Sequence, residues 1–208
     1  MKRFMLAAPF FVASPALAHH PLGGLPMETF SHGIRSGIGH PVLGFDHLFF
    51  VVAMGIMAHL SGHRFKAPLF YIAAMLAGCS AAYAGLNLPL QEAMIALSLI
   101  VLGGLIARNR TGGRGAVLMA FAGFGLFHGA AFGASIAAQE GGAGAAVLIG
   151  YLTGVGVVQY LIAVGAGWAA RQASTLQTQL AGAMVAGVGV FLCLEQIEGP
   201  LIALMSAG

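Results

Sequence analysis

Six apolar runs of membrane-crossing length constrain this chain more than any other feature. They lie at Val42 to Leu60, Ala67 to Leu86, Pro89 to Ala107, Gly115 to Ala137, Ala145 to Ala170 and Leu180 to Met205. About 20 helical residues cross the hydrocarbon core of a bilayer, and lipid offers no partner to an unpaired backbone group, so each run predicts a helix. Only 7% of the 208 residues are charged, against about 25% in soluble domains. The reading is an all-α membrane protein, a bundle of six transmembrane helices. The 32 glycines fit such a bundle, because small residues let membrane helices approach closely.

The ends and connections orient the bundle. Residues 1–18 read as a cleavable signal peptide: Lys2 and Arg3, an apolar run from Phe4 to Ala13, then Ala16-Leu17-Ala18 as a small-residue cleavage site. The remainder, 19–208, forms one domain, in which 19–41 is a Gly-rich outer lead-in on or partly in the membrane surface, with Gly33 and Gly37 spaced for close packing. Arg64 and Lys66 follow the first run, Arg108, Arg110 and Arg114 the third, and Arg171 the fifth, while the alternate connections hold no Lys or Arg. The positive-inside rule makes those three connections cytoplasmic and places both termini of the mature chain outside. Glu28, Asp46, Glu92, Glu140, Glu195 and Glu198 then fall on the outer side or in the outer half, an arrangement that concentrates cations at the mouth. The formal charge of +3 comes from these topology signals, so no nucleic-acid surface is indicated. Cys79 and Cys193 sit in apolar runs without CxxC spacing and read as small buried hydrophobes.

One stretch carries the chemistry: His40-Pro41-Val42-Leu43-Gly44-Phe45-Asp46-His47-Leu48-Phe49-Phe50, with two imidazoles and the chain's only aspartate at the mouth of the first run. A carboxylate at the centre of a membrane helix costs roughly 2.5–3.5 kcal/mol on insertion, so Asp46 implies a partner, a cation or water. Imidazole and carboxylate together suit borderline divalent ions such as nickel, cobalt and zinc. Seven residues of straight helix separate His40 and His47 by about 10 Å, too far for joint chelation. The expected solution is Pro41 at a first helical position with His40 just outside as the cap, its ring folded over the helix end. The alternative is that His40 only caps and His47 is a packed polar residue. His128 stands beside Gly125, Gly129 and Gly133, a close-packing ladder, and is either a third imidazole for the site or a packed histidine. Glu92 fits the outer mouth, or simply a first-turn acid favoured by the helix dipole. Further candidates are His19 and His20, which cleavage would expose as the new N-terminus, and His32, eight residues before His40. His59 and His63 form an i, i+4 pair at the inner end of the first run, and Gln159 with Tyr160 is a polar pair deep in the fifth.

These residues resemble the HupE/UreJ family of nickel and cobalt permeases. The resemblance rests on His40-x5-Asp46-His47 in HPVLGFDHLFF, on Phe127-His128-Gly129 with Ala131 in FHGAAFG, on Glu92 in EAMIALSLIVLG, and on the layout of signal peptide and six spans. The family's second motif resembles FHGxAHGxE, and this chain has Phe132 for its second His and Ser135 for its Glu.

The resemblance implies a secondary transporter of Ni2+ or Co2+ in the bacterial inner membrane. The implied ligands are His40, Asp46, His47, His128 and Glu92, with no permanently bound cofactor, and cytoplasmic nickel or cobalt acceptor proteins are the implied partners. No GxxxxGK[ST] phosphate loop occurs, so uptake would run on gradients or on removal of the ion inside. Two other classes stay open: an intramembrane metal-dependent hydrolase, disfavoured by the lack of HExxH, and a non-transporting metal-binding accessory protein for hydrogenase or urease maturation.

Overall fold

The structure, a computed structural model, describes residues 26–138 and 144–206 and is helical, with no strand among the described residues. The expected signal peptide, His19, His20 and Glu140 lie outside the described residues. The described residues form seven helices: α1 (Phe30–Leu43), α2 (Phe45–Leu60), α3 (Lys66–Tyr83), α4 (Gln91–Ala107), α5 (Arg114–Ala137), α6 (Ala145–Gln172) and α7 (Thr175–Ser206).

Each of the six apolar runs carries one helix, α2 to α7, and the lead-in supplies the seventh. Within the lead-in, α1 buries Gly33, Ser36, Gly37, His40 and Pro41 and packs along α6, with Gly33 and Gly37 against the α6 backbone. Three stretches, Gly115–Ala137, Ala145–Gln172 and Thr175–Gly199, are long and apolar enough to cross a bilayer. α1 and α2 reach that standard only as a pair bent by 80°, and α4 is a shorter apolar helix. By length and apolarity the expected six spans thus reduce to three, or four with the bent pair. Large apolar side chains such as Met119, Ile149, Leu161, Trp168, Met184 and Phe191 point outward, as a bundle facing lipid requires. The architecture fits a multi-pass membrane protein.

Helix ends follow local chemistry. Thr29 caps α1, its Oγ1 accepting from the His32 N–H, which satisfies one of the orphan donors of a first turn. At the far end of α2, Gly62 takes a left-handed φ of +77° while Gly62 N–H donates to His59 C=O and His63 N–H to Ala58 C=O. That glycine-terminated motif closes the helix and puts His59 and His63 on different elements, so they do not form a helical i, i+4 pair.

Packing is organised by glycine. The most extensive pairings are α3 with α5, α4 with α7, and α1 with α6. A Cβ at Gly129 would overlap Met75 C=O, and one at Gly133 would overlap Cys79 C=O, so the predicted ladder of α5 lies directly on the α3 backbone. Gly37 lies on Tyr151 C=O of α6, Gly103 of α4 on Ala186 N of α7, and Gly55 of α2 on Ala163 C=O of α6. Contacts this close gain dispersion along whole helix faces, the main source of helix association where lipid removes the hydrophobic drive.

Gly129→Ala is expected to destabilise the protein by about 1–3 kcal/mol through overpacking. Gly104→Ala, where the new methyl meets nothing within 4 Å, should be neutral or stabilising, because alanine is the better helix former. Thermal unfolding in detergent distinguishes them; equal midpoints would show that the α3–α5 seam tolerates a methyl.

Candidate functional site

The site is made by a break in the chain. Pro41 lacks an N–H and so leaves Gly37 C=O without its helical donor, and two residues later α1 ends. Gly44 is extended (φ −81°, ψ 100°), its N–H donates to His40 C=O at 2.8 Å, and its own carbonyl accepts from Leu48 N–H at 2.9 Å as α2 begins. The sequence expectation is corrected here: Pro41 belongs to the last turn of α1, and His40 precedes it within that helix rather than capping the next. Proline at this position fits a helix end as well as a helix start, and the extended Gly44 decides the matter. The atoms nearest to a Cβ at Gly44 would be those of its own flank, His40 C=O, His47 Cδ2 and Asp46 Oδ1.

The 80° bend turns the end of α1 and the start of α2 toward one cavity of about 270 Å³, lined by His40, Gly44, Asp46, His47, Glu92, Ala131 and Ser135. His40 and His47, separated by about 10 Å on a straight helix, have ring centroids 5.9 Å apart. Asp46 stands in the first turn of α2 and Glu92 in the first turn of α4, where helix N-termini favour negative charge. His40 sits in the last turn of α1, the negative end of that dipole, which favours cationic groups.

Each buried imidazole has a hydrogen-bond partner, as a ring removed from water requires. His40 Nδ1 lies 2.9 Å from the Tyr151 hydroxyl on α6. His47 Nδ1 lies 2.9 Å from His128 Nδ1 on α5, and its Nε2 faces Asp46 Oδ2 at 3.6 Å. His128, fully buried, has its Nε2 3.0 Å from Ser98 Oγ on α4, and Ser98 donates its hydroxyl hydrogen to Ile95 C=O at 2.6 Å. Phe132 forms an apolar wall, its ring 4.2 Å from that of His47 and 5.0 Å from that of His40.

Of the residues singled out in the sequence, His40, Asp46, His47 and Glu92 meet at the cavity. His128 stands one hydrogen bond behind it with both nitrogens engaged. His32 is tied to its own helix start, its Nδ1 accepting from Glu28 N–H at 3.3 Å, and does not line the cavity. Gln159 is fully buried, and neither of its polar side-chain atoms has a partner among the described residues. Ser98 and Tyr151 were not recognised. Ser98 did have a signal, a single hydroxyl inside the apolar run of α4. Among the described residues no three His, Cys, Asp or Glu side chains already stand in metal-ligating geometry. The cavity has room for an ion that keeps part of its water shell, with imidazole nitrogen and carboxylate oxygen as available donors.

The profile of the HupE / UreJ protein family matches residues 6–192. The chain is similar to Protein HupE of Rhizobium leguminosarum bv. viciae, 32% identical over 98 residues, 46% of this chain and 49% of that protein. The match thus spans about half the length of the curated relative. No solved structure matches.

The bond that holds His40 is testable by itself. Tyr151→Phe leaves an imidazole nitrogen buried without its hydroxyl partner and should destabilise the protein by about 1–3 kcal/mol, whereas Tyr160→Phe should not. Thermal unfolding of both variants in detergent measures the difference; equal midpoints would mean that the Tyr151 hydroxyl holds nothing.

Proposed function

Because the chain belongs to the HupE / UreJ family and gathers His40, Asp46, His47 and Glu92 around one cavity, we propose that it is a secondary transporter importing Ni2+ or Co2+ across the inner membrane. The observation that carries this reading is the meeting of Asp46 with two imidazoles across a broken helix, within an otherwise apolar bundle. Discontinuous helices whose ends flank a site are a recurring device of secondary transporters. The ion is the cargo. Glu92 and Asp46 attract it, and His47, Asp46 and His40 replace part of its hydration shell. His128 supports His47 from behind or exchanges its own bond for the ion. Release is toward the side bearing Arg64, Lys66, Arg108, Arg110 and Arg171, where acceptor proteins would take the ion. Few and mixed ligands suit transport, which needs binding strong enough for entry and weak enough for exit.

A second reading, a metal-binding accessory protein that does not transport, draws support from one feature. Phe132 packs against both cavity imidazoles where the family motif resembles a histidine, so this chain offers fewer ligands on α5.

Asp46→Ala and His47→Ala should each abolish nickel and cobalt uptake into cells or liposomes at equal membrane abundance. Uptake undiminished in either variant would remove the site from the transport path. The double variant Phe132→His, Ser135→Glu adds an imidazole beside both rings and a carboxylate at the cavity wall. It should tighten Ni2+ binding about tenfold or more, about 1.4 kcal/mol per factor of ten, or change the Ni2+/Co2+ preference. An unaltered profile by isothermal titration would show that this face of α5 does not meet the ion.

A further inference from the structure

Resting on the transport reading, we propose that Ser98 is a positioning residue that sets which nitrogen of His47 carries its hydrogen, leaving the nitrogen that faces Asp46 free of it as a metal ligand. A serine hydroxyl has one, and the 2.6 Å contact with Ile95 C=O, a group that only accepts, commits it. Ser98 Oγ then serves His128 only as an acceptor, so the 3.0 Å contact places a hydrogen on His128 Nε2. A neutral imidazole carries one N–H and one lone pair, which leaves His128 Nδ1 as an acceptor. Two Nδ1 atoms 2.9 Å apart share one hydrogen, and it therefore belongs to His47. With Nδ1 hydrogenated, His47 turns the lone pair of Nε2 toward Asp46 Oδ2, 3.6 Å away.

That is the form of imidazole that binds a metal, its other nitrogen donating to a fixed partner. The chain Ile95–Ser98–His128–His47 crosses from α4 through α5 to α2. Ser98 and His128 are fully exposed to neither water nor lipid, each being 0% accessible, so no water replaces the hydroxyl. In Ser98→Ala, His128 Nε2–H would have no acceptor. The other tautomer becomes favoured: Nδ1–H of His128 donates to His47, and His47 Nε2 becomes a donor, unable to ligate.

The test uses the full-length protein in nanodiscs with 15N-histidine labelling. Long-range 15N–1H spectra of the metal-free protein read the hydrogen position on His47, and Ni2+ titration calorimetry reads binding. Wild type should show His47 as the Nδ1–H form. Ser98→Ala should convert it toward Nε2–H and weaken Ni2+ binding roughly 10- to 100-fold, the usual effect of removing a group that orients a ligand. Ser98→Thr, which keeps the hydroxyl, should retain both properties. Since threonine adds a methyl at a fully buried position, the smaller alanine variant decides if the threonine variant does not fold. An Nε2–H form of His47 in wild type overturns the proposal, as does an alanine variant with unchanged tautomer or unchanged Ni2+ affinity. A tautomer that switches in a chain whose wild type binds neither Ni2+ nor Co2+ would leave the relay standing and remove the transport reading instead.

Discussion

The break at Gly44 is the constraint on which the site depends. A continuous helix from residue 30 to residue 60 would hold His40 and His47 about 10 Å apart along its axis and leave Asp46 to face lipid or a neighbour. Ending one helix and restarting another at 80° brings the rings to 5.9 Å and turns two helix ends of opposite polarity toward one cavity. Non-helical backbone is tolerated at membrane depth only where protein or a wet cavity satisfies it. Both conditions hold here: Gly44 N–H and C=O are bonded to the two helices it separates, and Gly44 lines the cavity.

The polar groups around that break are held in an order set by burial. An unpartnered polar group removed from water costs about 1–3 kcal/mol, and His40, His47 and His128 avoid that cost through Tyr151, Ser98 and one another. The Tyr71 hydroxyl and Gln159 are the contrast, buried and without a hydrogen-bond partner among the described residues. Gln159 stands two turns along α6 from Tyr151, about 12 Å at the helical rise.

The helical class was legible because apolar runs admit little else, and the ladder Gly125, Gly129, Gly133 was legible because a four-residue spacing keeps glycines on one face. α1 was not, because the face it buries consists of Gly33, Ser36, Gly37, His40 and Pro41, which carries no apolar periodicity. The number of crossings was not legible: three helices, or four with the bent pair, have the length and apolarity of a span, and a run of apolar letters does not reveal where α2 and α4 begin and end. The meeting of His40, Asp46 and His47 was expected from their chemistry, but with the wrong local geometry, since Pro41 is compatible with both ends of a helix. Ser98 showed only as a lone hydroxyl in an apolar run, and Tyr151 not at all. Their partners are 30 and 111 residues away in the chain, and no local pattern encodes such distances.

The glycine seams divide the molecule unevenly. α1 with α6, α3 with α5, and α4 with α7 are each locked backbone to backbone, whereas the cavity groups and the side chains that bond or pack against them are shared out among them: His40 and Tyr151 on the first, His128 and Phe132 on the second, Ser98 and Glu92 on the third, and Asp46 and His47 on α2 at the centre. Three stiff slabs therefore meet at a junction stitched by individual side-chain bonds. A small slip of one slab against another would keep every seam shut and still pull these side chains apart, so the geometry of the cavity is governed by the register between slabs and not by the folding of any one of them.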